Sequence, residues 1–314
     1  MATMKTVPIR FIENVLLVLN FHRLPEAKRL ANPWRRIARW NINKRAILLV
    51  RADSKTGQCY ACARLIRDNL TLIPCDSIDF RFVTNVDVLC VDELKSADLL
   101  SFSKVSLEEV DRMISKRACK NVEIGANGWS YSFNKLTLSV LSESADISGI
   151  GKVVFNAMPP TNSLSFGCID GYEKEIEGLI ERMGPLYKVR IVKCTGVTPR
   201  VVDLLIQKFE VNDLSASFIL TPTAISDAQF GRLIDKCLTG EMSQGEVTLA
   251  TETKYARDLM KIYDFYAKFA NIYSTDSKIY AHKGKKAEME LKMELRYSGN
   301  AKNAYSIKWD WMPM

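Results

Sequence analysis

The alternation of short apolar strands with helical segments beyond residue 121 is the feature that most narrows the possible folds. The extended runs have centres roughly 26 residues apart in the middle of the series. They occupy residues 135–140, 163–166, 188–192, 214–220 and 246–250. Helical periodicity fills the gaps, over 172–183, from Thr198-Pro199 to Phe209, and from Ser226 to Leu238 with Gly240 as a closing signal. The pattern predicts an α+β or α/β protein in which helices follow strands.

Strand–helix units of this length are typical of a leucine-rich-repeat-like solenoid, in which each unit packs on its neighbours. The strict spacing of Leu and Asn found in regular repeats is absent, so we expect an irregular solenoid. An ordinary mixed α/β domain, with the same units packed in one sheet, is the alternative. Either body would span residues 46–314, with a possible sub-boundary near residue 120.

Segments outside this series also indicate regular structure. Residues 46–50 and 58–65 flank the turn signal Asp53–Gly57, which predicts a hairpin. Ser106, followed by Glu108 and Glu109, predicts a capped helix over 107–114. Further predictions are strands at 77–83, 85–91 and 289–297, a hairpin partner at 306–311, and a buried helical face within 255–273.

The N-terminal stretch from Val7 to Trp40 carries apolar residues every three to four positions, the period of helices with one buried face. Asn20-Phe21-His22 indicates a turn between the first two helices. Pro33 is expected in the first turn of a third short helix, with Asn32 as its cap. The sequence therefore predicts a compact three-helix module over residues 1–45.

This module resembles an F-box, and most closely the divergent F-box-like segments that open many nematode proteins of this length. The positions that carry the resemblance are Pro8, Phe11, Val15, Leu16, Leu19, Leu30 and Trp34. Val7-Pro8-Ile9-Arg10 stands where the family usually has Leu-Pro followed by an acidic residue. The resemblance implies docking on the Skp-type linker protein of a cullin ubiquitin ligase, with the body holding an unidentified protein substrate. The implied contact residues are Pro8, Phe11, Leu16, Leu19, Leu30 and Trp34. Alternatively, the helices simply cap the domain that follows.

The N-terminal module also concentrates the positive charge of the chain. Residues 1–45 contain ten Lys or Arg and two acids, so their net charge equals the +8 of the whole chain. Such asymmetry favours an acidic partner, which could be nucleic acid, an anionic membrane or an acidic protein. The basic patch that we expect to carry this binding is Arg29, Arg35, Arg36 and Arg39. A solvated basic helix face is the alternative, since aromatic residues are not interleaved with these arginines as in known nucleic-acid binders.

Catalytic, metal and cofactor signals are weak. Cys59 and Cys62 form the one Cys-x-x-Cys pair, and the chain has only two histidines, which argues against a tetrahedral zinc site. Gly149–Lys152 lacks the spacing of a phosphate-binding loop, and no Gly-x-Ser-x-Gly occurs. We therefore expect a protein that is not an enzyme, with no catalytic residues, metal or cofactor.

The eight scattered cysteines, with no export signal and no apolar run of bilayer length, predict reduced thiols in a cytoplasmic or nuclear protein without a membrane span. The first hypothesis is thus a ligase adaptor. The second is a nucleic-acid or anionic-surface binder, and the third is a repeat scaffold without a ligase link.

Overall fold

In the computed structural model, the chain forms two compact units. Unit 1 comprises Met1–Cys168 and Lys174–Gly184, and unit 2 comprises Ile169–Glu173 and Pro185–Met314. The residues that the structure describes are 7–18, 27–66, 71–95, 99–116, 135–140, 148–157, 163–194, 197–210, 216–221, 225–239, 244–250, 271–275, 278–282, 289–297 and 304–313.

Unit 1 combines helices with a mixed sheet. Its helices are α1 (Ile9–Val18), α2 (Trp34–Lys44), α3 (Leu107–Ser115), α4 (Ser148–Ala157) and α5 (Glu173–Arg182), the last belonging to it from Lys174. Helix α3 begins with a capping box, because Ser106 Oγ accepts from Glu109 N–H while the Glu109 carboxylate accepts from Ser106 N–H. The Arg182 guanidinium donates to Phe155 O at 2.5 Å and so joins α5 to α4.

The sheet of unit 1 has the order β7-β6-β4-β1-β2-β3, with β5 paired to β2. The strands are β1 (Ala46–Asp53), β2 (Cys59–Leu65), β3 (Leu72–Ile73), β4 (Val83–Val91), β5 (Ser103–Val105), β6 (Lys135–Val140) and β7 (Ser163–Gly167). Strand β1 pairs antiparallel with β2 and parallel with β4, and the parallel pairing continues to β6 and β7. The predicted hairpin over 46–65 is therefore confirmed.

Strand β1 is buried on both faces, which explains its unbroken apolar sequence. On one face Ile47 and Leu49 form a cluster with Cys62 and Ile66, and Leu72 and Phe102 pack against that cluster. At the end of β1, Asp53 accepts from the N–H groups of Thr56 and Leu94. Burial raises the pKa of the Asp53 carboxyl, but those N–H groups outweigh it, so that this pKa lies below its ordinary value.

The strands of unit 2 are hydrogen-bonded in the order β8-β9-β10-β14-β13-β12-β11. Its strands are β8 (Lys188–Val192), β9 (Ala216–Thr221), β10 (Gln244–Ala250), β11 (Asn271–Thr275), β12 (Lys278–His282), β13 (Met289–Tyr297) and β14 (Ala304–Pro313). Strands β8, β9 and β10 run parallel, and the rest of the sheet is antiparallel. The predicted pairing of 289–297 with 306–311 is confirmed.

Helices α6 (Pro199–Lys208) and α7 (Asp227–Thr239) belong to unit 2. Thr198 caps α6, as its sequence predicts, by accepting from Val201 N–H. Buried Gln229 exchanges hydrogen bonds with Ser226 at the start of α7, and its amide donates to Pro199 O and to an Asp203 oxygen, each at 2.9 Å. The Gln229 side chain therefore takes part in the cap of α7 and joins this helix to α6, which precedes it.

The mixed α and β fold class is confirmed, as are the strands predicted at 135–140, 163–166, 188–192, 214–220 and 246–250. The strand predicted at 77–83 is wrong, because 3₁₀ turns occupy Cys75–Ser77 and Phe80–Phe82. Asp79 accepts from the backbone and guanidinium of Arg81, and this local polar bonding outcompetes the alternating pattern. The boundary at residue 45 stays a prediction.

The start of α2 differs from expectation. The residue at the cap position of α2 is Pro33, not Asn32, and no side chain caps this helix. The turn at residues 20–22, most of the second helix, Gly240 and residues 255–270 of the helical face expected within 255–273 lie outside the described residues. The helical prediction is wrong for residues 271–273, because they belong to β11, which pairs antiparallel with β12.

Candidate interaction surfaces of the N-terminal helices

Helices α1 and α2 pack on each other through a small apolar core. Its buried members are Ile12, Leu16, Ala27, Ile37, Ala38 and Ile42. Val7 and Trp34 are partly buried and pack against this cluster. Apart from Ala27, which precedes α2, the helical period places the buried members on the inner faces of the two helices.

Arg45 joins the end of α2 to the end of α1. It follows α2 directly, it is only 1% exposed, and its guanidinium donates to Leu16 O at 2.8 Å. Leu16 lies in the last turn of α1, where carbonyl groups lack partners within the helix. A cationic donor at this end also complements the helix dipole. Arg45 O in turn accepts from Ile66 N–H, which joins this anchor to the sheet.

The six residues predicted to bind a partner divide into inner and outer sets. Pro8, Phe11 and Leu30 are exposed, Phe11 by 54% and Leu30 by 42%. Leu16 is completely buried, and Trp34 is half-buried against the helical core. Leu19 lies outside the described residues.

Exposed Ile9 extends the outer set and was missed by the sequence prediction. Ile9 precedes the apolar positions whose spacing predicts α1, so periodicity alone did not identify it as a candidate contact residue. Ile9 and Phe11 are among the few large apolar side chains that the described residues expose. Pro8, Ile9 and Phe11 are therefore all exposed at the start of α1. Ile9 and Phe11 are two residues apart in the helix, so they project to different sides of it.

The predicted basic patch lies in solvent. Arg29, Arg35, Arg36 and Arg39 are all exposed. Arg35 Nε donates to Lys28 O at 3.1 Å. Within the described part of the chain, no salt bridge joins any of these four arginines to a carboxylate.

Trp40 stands at the edge of this patch and was not among the predicted site residues. Its ring meets Phe82 edge-on, with 5.1 Å between ring centroids, and Lys44 Nζ lies 3.8 Å from the centre of the Trp40 ring. Trp34 and Trp40 do lie on different sides of α2, as the helical period predicts. That same period was the signal that could have identified Trp40 as an outward-facing aromatic.

Asp79 lies close enough to Lys44 to respond to its charge. Arg81 holds the Asp79 carboxylate at 2.6 Å, and it is chiefly this guanidinium, with a smaller effect of Lys44, that lowers the Asp79 pKa. The negative charge of Asp79 is therefore balanced by Arg81 and not by the basic patch.

The Cys59 and Cys62 thiols are both buried within β2. Burial raises the pKa of the Cys59 thiol and raises that of Cys62 to about 11, which keeps both protonated at neutral pH. Thiols in this state are poor nucleophiles and poor metal ligands. In the described ranges, no group of three or more His, Cys, Asp or Glu side chains is arranged to hold a metal ion.

Comparison with known proteins adds no relative, because neither a protein-family model nor a curated protein matches the sequence. Among the helices described above, none is both long and apolar enough to cross a membrane.

Proposed function

We propose that the protein is a non-enzymatic adaptor whose N-terminal helices dock on the Skp-type linker protein of a cullin ubiquitin ligase. The observation that carries this proposal is the exposure of three apolar residues, Pro8, Ile9 and Phe11, at the start of α1, with Leu30 as a further exposed apolar residue. A proline at the entry of an apolar first helix is also where the F-box resemblance expects the partner to bind. Exposed aromatic and aliphatic anchors are the residues that dominate helix-mediated docking.

Leu16 and Trp34 have a different role in this proposal. Both contribute to the packing between α1 and α2, so they hold the docking surface in place instead of contacting the partner. Substituting either one would test folding and binding together. Phe11 and Leu30 are better sites for a test because each is largely in solvent.

The body would hold the protein substrate on irregular repeats. Strands β6 to β10 begin at residues 135, 163, 188, 216 and 244, so successive strands are 25 or 28 residues apart. Each strand is followed by one helix or helical prediction, and a residue with positive φ follows both β7 and β8, namely Cys168 and Lys193. The nearly constant length of the strand–helix units and the positive φ after two of the strands support the solenoid over an ordinary mixed sheet.

The distribution of burial in the strands limits this repeat interpretation to part of the chain. In β8, Val189 and Ile191 are buried while Arg190 is exposed, as expected of a solenoid strand with one open face. Strand β1, by contrast, is covered on both faces, as in an ordinary mixed sheet. Strand β7 is likewise buried on both faces, so an open face supports the repeat interpretation at β8 and not at β7. The adaptor would work in the cytosol or nucleus.

Co-purification of the full chain with the Skp-type linker protein tests the proposal. The test variants are Phe11→Asp and Leu30→Asp, and the control is Leu100→Asp, because Leu100 is 89% exposed and belongs to no predicted surface. The proposal expects the wild type and the control to retain the linker and the two test variants to lose it. Failure of the wild-type chain to bind would refute the adaptor and favour a repeat scaffold without a ligase link.

A further inference from the structure

We infer that the outer face of α2 is a second interaction surface, which binds an acidic segment of a protein. This basic face consists of Arg35, Arg36, Arg39, Trp40 and Lys44, all exposed. It is independent of the proposed docking on the Skp-type linker, which uses the apolar residues at the start of α1.

The charge of the basic face is unbalanced. Helix α2 contains four basic residues and no acid. In the described part of the chain, none of its arginines forms a salt bridge. The charge of Lys44 lowers the pKa of Asp79, but the Asp79 carboxylate forms its salt bridge with Arg81. Positive charge that the fold leaves without a counterion raises the local concentration of anionic partners and accelerates their association.

The geometry of the face matches an extended acidic chain. From Arg35 to Lys44 the helix rises about 13 Å. An extended peptide also advances about 13 Å over four residues. If its acidic residues occupy alternate positions, three of them lie on one side of the peptide within this distance and could contact the basic face. Arginine guanidinium groups also bind carboxylates through paired hydrogen bonds, which a face built on lysine could not provide in the same way.

Trp40 distinguishes a protein partner from a nucleic acid. Binding of single-stranded nucleic acid relies on aromatic rings on which bases stack. The Trp40 ring has Lys44 Nζ over one face and Phe82 against it edge-on, so the ring is held in place by its own neighbours. An exposed tryptophan flanked by arginines is instead the composition of energetically dominant sites in protein interfaces.

The experiment is fluorescence anisotropy of the full-length protein with a labelled peptide of about twelve residues that alternates Glu and Ser, in about 0.05 M salt. The matched probe alternates Gln and Ser. The test variant is Arg36→Gln with Arg39→Gln, and the control is Lys104→Gln with Lys116→Gln, two exposed basic positions of the same unit. Circular dichroism verifies that each variant is folded.

The inference expects the Glu peptide to bind and the Gln peptide not to bind. The arginine double variant should weaken binding about tenfold or more, whereas the lysine control should change it less than about twofold. Absence of binding by the Glu peptide, or equal losses in the two double variants, would overturn the inference. It would also be overturned if a single-stranded oligonucleotide or an anionic phosphatidylserine vesicle bound more tightly than the peptide and lost affinity in the arginine variant. None of these results bears on whether the linker protein binds α1.

Discussion

Ile12 and Phe11 are adjacent in α1 but face opposite environments, and replacing each with alanine tests the orientation of the helix. Ile12 is completely buried between α1 and α2, whereas Phe11 is 54% exposed. Removing a buried isoleucine side chain costs about 2–5 kcal/mol, from lost apolar burial and the cavity that remains. Phe11→Ala should change stability by less than about 1 kcal/mol, since half of its surface is already in water.

Hydrogen–deuterium exchange of peptides that cover residues 7–18 measures the difference directly. In the usual regime, exchange follows the population of the locally open state, so each 1.4 kcal/mol corresponds to about a tenfold change. Ile12→Ala should therefore accelerate exchange in α1 by about 30-fold or more, or abolish its protection. Phe11→Ala should accelerate it less than about fivefold.

The control for both substitutions is Leu100→Ala, which removes an exposed apolar side chain outside the helices. Its exchange profile in α1 should match that of the wild type. Equal acceleration by Phe11→Ala and Ile12→Ala would refute the assignment of inner and outer faces. The docking surface would then lose its structural basis.

Three further predictions concern single side chains, each of which stabilises the unit to which it belongs. Arg45→Met removes the donor to Leu16 O and should lower the free energy of unfolding by about 1–3 kcal/mol in urea titration, and an unchanged midpoint would contradict the anchor. Gln229→Leu removes the acceptor of Ser226 N–H at the start of α7 and the two bonds to α6, so a loss of about 2 kcal/mol is expected, and protection of both helices from exchange should fall together. The lowered pKa of Asp53 means that its stabilising effect is present above the unfolded value of about 3.9 and is lost as the pH falls through the folded pKa. The difference in stability between wild type and Asp53→Asn should therefore shrink below about pH 4, and a difference that persists in acid would be inconsistent with this origin.

Local signals were sufficient to predict most of the regular structure. The capping box at Ser106 and the Thr198-Pro199 start each place a helix because the cap bonds involve residues only three positions away. Strands such as β8 and β13 follow from alternation over their own length. Where local bonding opposed alternation, as between Asp79 and Arg81, the pattern misled.

The candidate surfaces were harder to predict because they depend on distant residues. In α1 apolar side chains occur at both inner and outer positions, so periodicity could not separate buried Ile12 from exposed Phe11. In the sequence, Arg45 does not differ from the other basic residues of its segment. Its hydrogen-bond acceptor, Leu16 O, lies 29 residues earlier and can be identified only from the folded structure. The exposure of the basic patch, in contrast, follows from charge itself, because unpaired arginine is costly to bury.

Calorimetric titration of the full chain with the Skp-type linker protein tests the central claim most directly. The wild type should bind, Leu100→Ala should bind equally well, and Phe11→Ala should lose about 2 kcal/mol or more of binding free energy, close to 30-fold in Kd, while remaining folded. Apolar contact should also make the affinity of the wild type insensitive to moderate salt. No binding by the wild type, or equal affinity of wild type and Phe11→Ala, would contradict the claim that the outer surface of α1 is a docking site for the linker.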